Sequence, residues 1–243
     1  MELKNSSYQI GGVEVLDICR EFDTPLYVYD AEKIEAQYDK LANSFKGTNY
    51  KIKYACKANS NLNILHLLKK KGAGLDTVSI QEARLGIEAG FEPNEILYTP
   101  NCVSLTEIEE GIQMGLRINI DNISILEQLG HKYGNKVPVC IRINPHLMAG
   151  GNAHIQTGHI DSKFGISIHQ LRHVVRVVKA NDIHVEGLHM HTGSDILDSE
   201  VFLSALEVLL ETAENFDELN YIDFGSGFKV AYRQNDVVTE VED

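Results

Sequence analysis

From residue 50 onward the apolar positions fall into a repeating rhythm. A short β-branched run is followed by a polar turn, then a stretch with apolar residues three and four apart, then a glycine. Short alternating or continuous apolar runs predict strands, and the longer spacing predicts helices with one buried stripe. Strands are expected at 51–56, 74–78, 95–99, 117–121, 137–143, 185–190 and 220–224, with helices between them at 60–71, 79–89, 104–114, 123–133, 167–180 and 199–214. Lys51 and Lys53 alternate along the first of these strands, as on a half-exposed strand. Ser79 with Glu82, and Ser104 with Glu107, fit the capping box, in which each side chain satisfies a free backbone N–H of the other. Gly72, Gly90, Gly115 and Gly134 fall where a helix should stop, since glycine accepts the left-handed closing residue without steric cost.

Strands alternating with single helices imply parallel βαβ units in an α/β chain. The strand ends near Cys56, Val78, Tyr98 and Asp121 recur about every 20 residues, which leaves room for one helix and short loops. A (β/α)8 TIM-type barrel suits that economy better than a doubly wound sheet. Seven barrel strands are visible, where closure requires eight. The chain ends at QNDVVTEVED, just past the seventh, so the expectation is truncation before the eighth strand. PLYVYD, residues 25–30, alternates like a strand but precedes the helix leading into the first barrel strand. Residues 1–30 are therefore expected to supply a strand to a second, β-rich domain, and 31–243 to form the incomplete barrel. An open barrel has two unpaired edges, so the chain alone is expected to self-associate.

Composition narrows the partners. Lys and Arg total 22 against 35 Asp and Glu, a net charge of −13, which disfavours a nucleic-acid backbone as partner. Cys19, Cys56, Cys102 and Cys140 form no CxxC pair, which argues against a zinc knuckle or a disulfide framework. The first residues lack the apolar core of a signal peptide, and no run reaches the ~18 apolar residues of a membrane span. The expected compartment is the reducing cytoplasm.

Catalytic side chains of such barrels sit at the C-terminal ends of the strands. Those ends carry Lys57, Asp76, Asn101, Asp121, Arg142 with Asn144, His189 with His191, and Asp223 with Gly225. Lys57 taken alone is a surface lysine or, if desolvated, an amine able to form a Schiff base with a carbonyl. HMHTGSD, residues 189–195, allows a metal pair, a core histidine with a backbone partner, or phosphate binding through Gly193 and Ser194. DFGSGF, residues 223–228, brackets a turn with Gly225 and Gly227 whose N–H groups could wrap an anion. It is not a dinucleotide fingerprint, which belongs in the first βα unit. A phosphate in the loop after strand seven is usual for the fold. A carbonyl-trapping lysine with phosphate ligands points to pyridoxal 5′-phosphate.

Eight stretches then carry a resemblance: TPLYVYD at 24–30, YACKANSN at 54–61, GLDTVSIQE at 74–82, INIDN at 118–122, IRINP at 141–145, TGHIDSKFGI at 157–166, GLHMHTGSD at 187–195 and DFGSGF at 223–228. In that order they resemble the fold-type III, PLP-dependent amino-acid decarboxylases with an alanine-racemase-like barrel, most closely the branch acting on diaminopimelate. The resemblance implies that Lys57 holds PLP, that His191 stacks on its pyridine face, and that Ser194 and the Gly225–Ser226–Gly227 turn hold its phosphate. It implies Asp76 and Arg142 near the lysine and the ring, and His189 behind them. Glu82 also matches a family position, but its capping role is the reading kept here. The implied reaction is decarboxylation of meso-2,6-diaminopimelate to L-lysine, in a full-length homodimer whose substrate is a small amino acid. Ornithine, arginine or carboxynorspermidine remain as alternative substrates.

Two departures matter. The family's glycine triplet reads GSG here, and its EPGR-type motif and C-terminal β-domain are absent from the sequence. Rival expectations are a non-catalytic PLP-binding regulator, and a metal-dependent barrel hydrolase using His189, His191 and a carboxylate.

Overall fold

The computed structural model describes residues 2–4, 6–147, 162–233 and 235–241. The first five residues of TGHIDSKFGI, 157–161, lie outside them. The chain begins with three short strands, β1 (Glu2–Lys4), β2 (Ser7–Ile10) and β3 (Val13–Glu14), paired antiparallel in that order. Helix α1 (Val15–Phe22) follows, then α2 (Ala31–Ser44). Between them PLYVYD forms no strand. Tyr27 is 89% exposed, so the alternation there marks extended backbone without a partner. The segment ends by capping: Asp30 accepts the Lys33 N–H at 3.2 Å.

The barrel then runs β4 (Lys53–Ala55), α3 (Leu62–Lys70), β5 (Gly74–Thr77), α4 (Ile80–Glu88), β6 (Ile96–Tyr98), α5 (Leu105–Gln113), β7 (Arg117–Ile120) and α6 (Ile123–Tyr133). It continues with β8 (Val139–Asn144), β9 (Ile166–Ser167), α7 (Leu171–Ala180), β10 (Val185–His189), α8 (Ser199–Ala213) and β11 (Tyr221–Asp223). Seven parallel strands make one sheet in the order β11-β10-β8-β7-β6-β5-β4, with β9 joined only to β8. Every strand and helix expected after residue 50 is present, most trimmed by a residue or more, while α6 keeps its expected bounds and β8 runs one residue past its expected end. The sheet curls as a TIM-type barrel does, because Phe45, ahead of β4, packs on Phe224, after β11, with centroids 6.2 Å apart.

Helix boundaries follow the local chemistry. Gly72, Gly90, Gly115 and Gly134 all take positive φ, at 93°, 88°, 77° and 56°. Ser79 accepts the Glu82 N–H at 3.2 Å, but the Glu82 carboxylate reaches past the cap to the Val78 N–H at 2.8 Å. Ser104 accepts the Glu107 N–H at 3.4 Å, whereas the Glu107 carboxylate takes the Tyr98 hydroxyl at 2.8 Å. Both boxes are thus half made, the second because a buried phenol claims its carboxylate.

Period-two alternation sorts the strand side chains into two faces. One face carries Leu75, Ile96, Tyr98, Ile118, Ile141 and Leu188, all at most 1% exposed. The helices lie against it so tightly that a Cβ on Gly86 of α4 would stand 2.5 Å from Leu75, and one on Gly111 of α5 3.0 Å from Tyr98. The opposite, inward face carries Lys53, Asp76, Asn119, Arg142, His189 and Asp223. In register, Asp76 lies beside Ala55, Asn119 beside Cys140, and His189 beside both Arg142 and Asp223. The hydrophobic core therefore sits between sheet and helices, and the barrel interior carries most of the polar groups beside Leu97 and Cys140.

Lys53 departs from its half-exposed expectation. Its amine is turned inward and donates to the Glu95 carbonyl at 2.7 Å, and burial lowers its pKa to about 8. Alternation along the strand is real, but in a barrel the side that is not apolar faces the interior.

Candidate active site

Lys57 sits in a single 3-10 turn, Cys56–Ala58, directly after β4, and its side chain is exposed. The polar turn behind it is built by asparagines. Tyr54 donates its hydroxyl to the Asn59 carbonyl at 3.1 Å, Asn59 accepts the Asn61 N–H at 3.0 Å, and Asn61 accepts the Asn63 N–H at 2.9 Å to start α3. Side-chain oxygens that bond the backbone two residues on are what asparagine supplies in such turns.

Asp76, at the end of β5, accepts a hydrogen bond from Thr99 at 2.6 Å. Asn119 of β7 donates to Thr99 at 3.3 Å and approaches His189 Nδ1 at 2.7 Å. Burial raises the Asp76 carboxyl from 3.8 to about 7, assisted by Asp223 and opposed by Thr99, Lys57 and Arg142. Burial also raises Asp223, against the Gly225 N–H it accepts at 2.8 Å and the cations Lys53 and Arg142.

Arg142 of β8 is 6% exposed and lies over the Phe164 ring, 4.8 Å from its centroid. Its charge is lodged among Asp121, Asp76 and Asp223. Asp121 in turn accepts from Asn101 and, at 3.2 Å, from Asn122. His189 is held well below its ordinary pKa by burial and by Arg142 and Lys57. His191 is pushed to about 3 by burial, then by His189, Arg142 and Lys57. Both rings are neutral near pH 7.

The two glycine loops meet backbone to backbone. A Cβ on Gly225 would lie 2.6 Å from the Met190 carbonyl and 3.0 Å from His191 Nδ1, and one on Gly227 2.1 Å from the Gly193 carbonyl. The loops are tied by Ile196 N–H to Gly227 O at 2.9 Å and Lys229 N–H to Ile196 O at 3.0 Å. Lys229 also pairs with Asp195 at 3.0 Å. Gly225 and Gly227 take positive φ, 67° and 119°, while Ser226 between them does not and is exposed. The GSG spelling thus keeps glycine at the two positions that need it. The Gly225 N–H, expected to face an anion, is instead taken by Asp223. Among the described residues, the N–H groups of Ser194, Ser226 and Gly227 have no acceptor.

The structure therefore brings Lys57, Asp76, Arg142, His191, Ser194 and the Gly225–Gly227 turn to one end of the barrel. His189 has a side-chain partner, Asn119, in place of the expected backbone one. Among the described residues no group of three His, Cys, Asp or Glu side chains is close enough to hold a metal ion. Thr99 and Asn119 were not anticipated, although alternation within INIDN puts Asn119 on the same face as Asp121. The lining suits pyridoxal 5′-phosphate: an exposed amine for the aldehyde, a neutral imidazole for the ring, and unoccupied N–H donors in a glycine turn for the phosphate. Among the described residues no helix is long and apolar enough to cross a membrane.

Residues 31–243 match the family described as pyridoxal-dependent decarboxylase, pyridoxal binding domain. The diaminopimelate decarboxylase of Methanothermobacter thermautotrophicus is 35% identical over 241 residues, covering 96% of this chain and 56% of that protein. The crystal structure of diaminopimelate decarboxylase from Helicobacter pylori complexed with L-lysine superposes with a TM-score of 0.84 at 29% identity, over 93% of this chain and 60% of that one. The enzyme of the same name from M. jannaschii, also with L-lysine, gives a TM-score of 0.85 at 28% identity, covering 100% and 60%. The chain spans little more than half the length of the curated relatives it matches, 56% in the first case.

Proposed function

Because the chain belongs to the pyridoxal-dependent decarboxylases, through the pyridoxal-binding domain that spans residues 31–243, we propose that it acts with pyridoxal 5′-phosphate to decarboxylate meso-2,6-diaminopimelate to L-lysine and carbon dioxide. The observation that carries this reading is the setting of Lys57. Its exposed amine acts electrostatically on Asp76, His189 and His191, at the barrel end that also holds the acceptor-free N–H groups. The substrate is argued from the relatives, which are named for it and include complexes with L-lysine.

Each residue has a definite task in this reading. Lys57, whose Nζ is exposed at the end of β4, would hold the cofactor through its aldehyde. Neutral His191 offers a flat ring with no charge of its own to the cofactor face. Ser194 and the N–H groups of Ser226 and Gly227 would hold the phosphate dianion, while Gly225 stays fastened to Asp223. Arg142 balances the carboxylates of Asp76, Asp121 and Asp223. The cofactor supplies an electron sink for the pair left on Cα when carbon dioxide departs.

The test is to mix the chain with pyridoxal 5′-phosphate, reduce with borohydride, and map the modified lysine by mass spectrometry. Labelling at Lys57 that disappears in Lys57→Ala is the expected result. Labelling scattered over surface lysines would overturn the reading. Carbon dioxide release from diaminopimelate, compared with ornithine and arginine, tests the substrate.

A further inference from the structure

Four side chains form a hydrogen-bonded row across the barrel interior: Asp76 on β5, Thr99 just past β6, Asn119 on β7 and His189 on β10, beyond β8. The links are 2.6 Å from Thr99 Oγ1 to Asp76 Oδ1, 3.3 Å from Asn119 Nδ2 to Thr99 Oγ1, and 2.7 Å from Asn119 Nδ2 to His189 Nδ1. We propose that Asn119 is a positioning residue that ties the tautomer of His189 to the protonation state of Asp76. The inference needs no bound cofactor and stands apart from the reading above.

The argument is one of donors and acceptors. When Asp76 is ionised it can only accept, so the Thr99 hydroxyl must donate to it. Thr99 then offers only lone pairs to Asn119, which turns its NH2 toward it. The same nitrogen reaches His189 Nδ1, which must therefore accept. His189 is neutral, so its one proton sits on Nε2. When Asp76 is protonated its hydroxyl can donate to Thr99, and the Thr99 hydroxyl turns to Asn119. The amide then presents Oδ1 to both neighbours, and His189 must carry its proton on Nδ1.

A second observation supports this. Asn119 is 1% exposed, and its Oδ1 has no hydrogen-bond partner among the described residues. Buried amide oxygens are ordinarily satisfied. Here the idle acceptor is the atom that the reversed row would use.

Other charged and titratable groups face the row. Asp76 is faced by Lys53 and Cys56 from the β4 side, by Lys57 in the turn, by Cys140 and Arg142 on β8, and by Asp223 on β11. Arg142 and Lys57 face His189, and His191 follows it on the chain. Among these, Asp76 and Lys53 have midpoints near neutrality, about 7 and about 8. The test therefore has to cut the row without touching Lys53.

In 15N-histidine-labelled chain, protonated and bare ring nitrogens resonate far apart, so the His189 tautomer is read directly by NMR. The His189 signals are assigned by their loss in His189→Gln. Across the Asp76 midpoint, the proton is expected to pass from Nδ1 at low pH to Nε2 at high pH. Thr99→Val, nearly isosteric, should abolish the step and raise the Asp76 midpoint, since it removes a hydrogen bond that lowers it. Thr99→Ser should restore both. A His189 tautomer that does not change with pH, or a step that survives in Thr99→Val, overturns the proposal.

Discussion

Gly227→Ala should damage both the fold and the proposed cofactor site. The φ of +119° lies where side chains are rarely tolerated, a cost of about 1–3 kcal/mol. The new Cβ would also stand 2.1 Å from the Gly193 carbonyl, which is backbone and cannot swing aside. Relief requires separating the two loops, which strains the 2.9 Å and 3.0 Å bonds through Ile196. Overpacking adds about 1–3 kcal/mol. The sum is about 2–6 kcal/mol, and its midpoint corresponds to a Tm fall of about 8–16 °C for a chain of this size. Urea unfolding at constant m-value measures the stability, and borohydride trapping at limiting pyridoxal 5′-phosphate measures the site. Ser226→Ala, at the exposed middle position, is the control and should stay within about 0.5 kcal/mol of the parent. A Gly227→Ala protein within that same margin would refute the argument that the two loops are locked backbone to backbone.

Titration gives two further predictions. The folded chain raises Asp76 from 3.8 to about 7, so the fold binds a proton that the unfolded chain has lost. Stability contributed by this group therefore falls as pH rises across that window, by about 4 kcal/mol at most, and Asp76→Asn should flatten the slope of the urea midpoint there. Lys53 runs the other way: its folded value is lowered from 10.5 to about 8, so stability should rise with pH between those values. Lys53→Met should remove that rise, and a parent-like slope in urea titrations would count against an inward, desolvated amine.

Several barrel strands were legible because each lies between a glycine that ends one helix and a polar residue that starts the next. Gly72 and Ser79 bracket β5 in this way, and Gly115 and Asn122 bracket β7. The N-terminal strands were missed because they are short and polar, as in Ser7–Ile10, with too few positions for alternation to declare itself. PLYVYD shows the opposite limit: alternation reports extended backbone, while pairing needs a neighbour, and none of the described residues supplies one. In the candidate site, the placement of Lys57, His191 and the GSG turn at strand ends was legible. That of Thr99 was not, since a threonine beside apolar residues looks the same whether it faces helices or the interior; for Asn119 the one signal is its alternation with Asp121. Lys53 shows the same ambiguity with a charge. The grip of Asp223 on Gly225 depends on a turn two residues long, and no residue pattern declares which N–H a carboxylate will take.

The separation between an apolar outer face and a polar interior has an evolutionary consequence. The residues that fold the barrel, such as Leu75, Tyr98 and Ile141, are not those that line its interior. Asp76 and Asp223 are carboxyls that burial disfavours in their ionised form, and Asn119 keeps an unsatisfied buried oxygen, so each of them weakens the fold it sits in. A library of this chain selected for thermal stability alone should accumulate apolar substitutions at positions 76, 119 and 223 before it alters the helix-facing core. Stability would then be gained by erasing the site, and only selection for chemistry would hold those three polar residues in place.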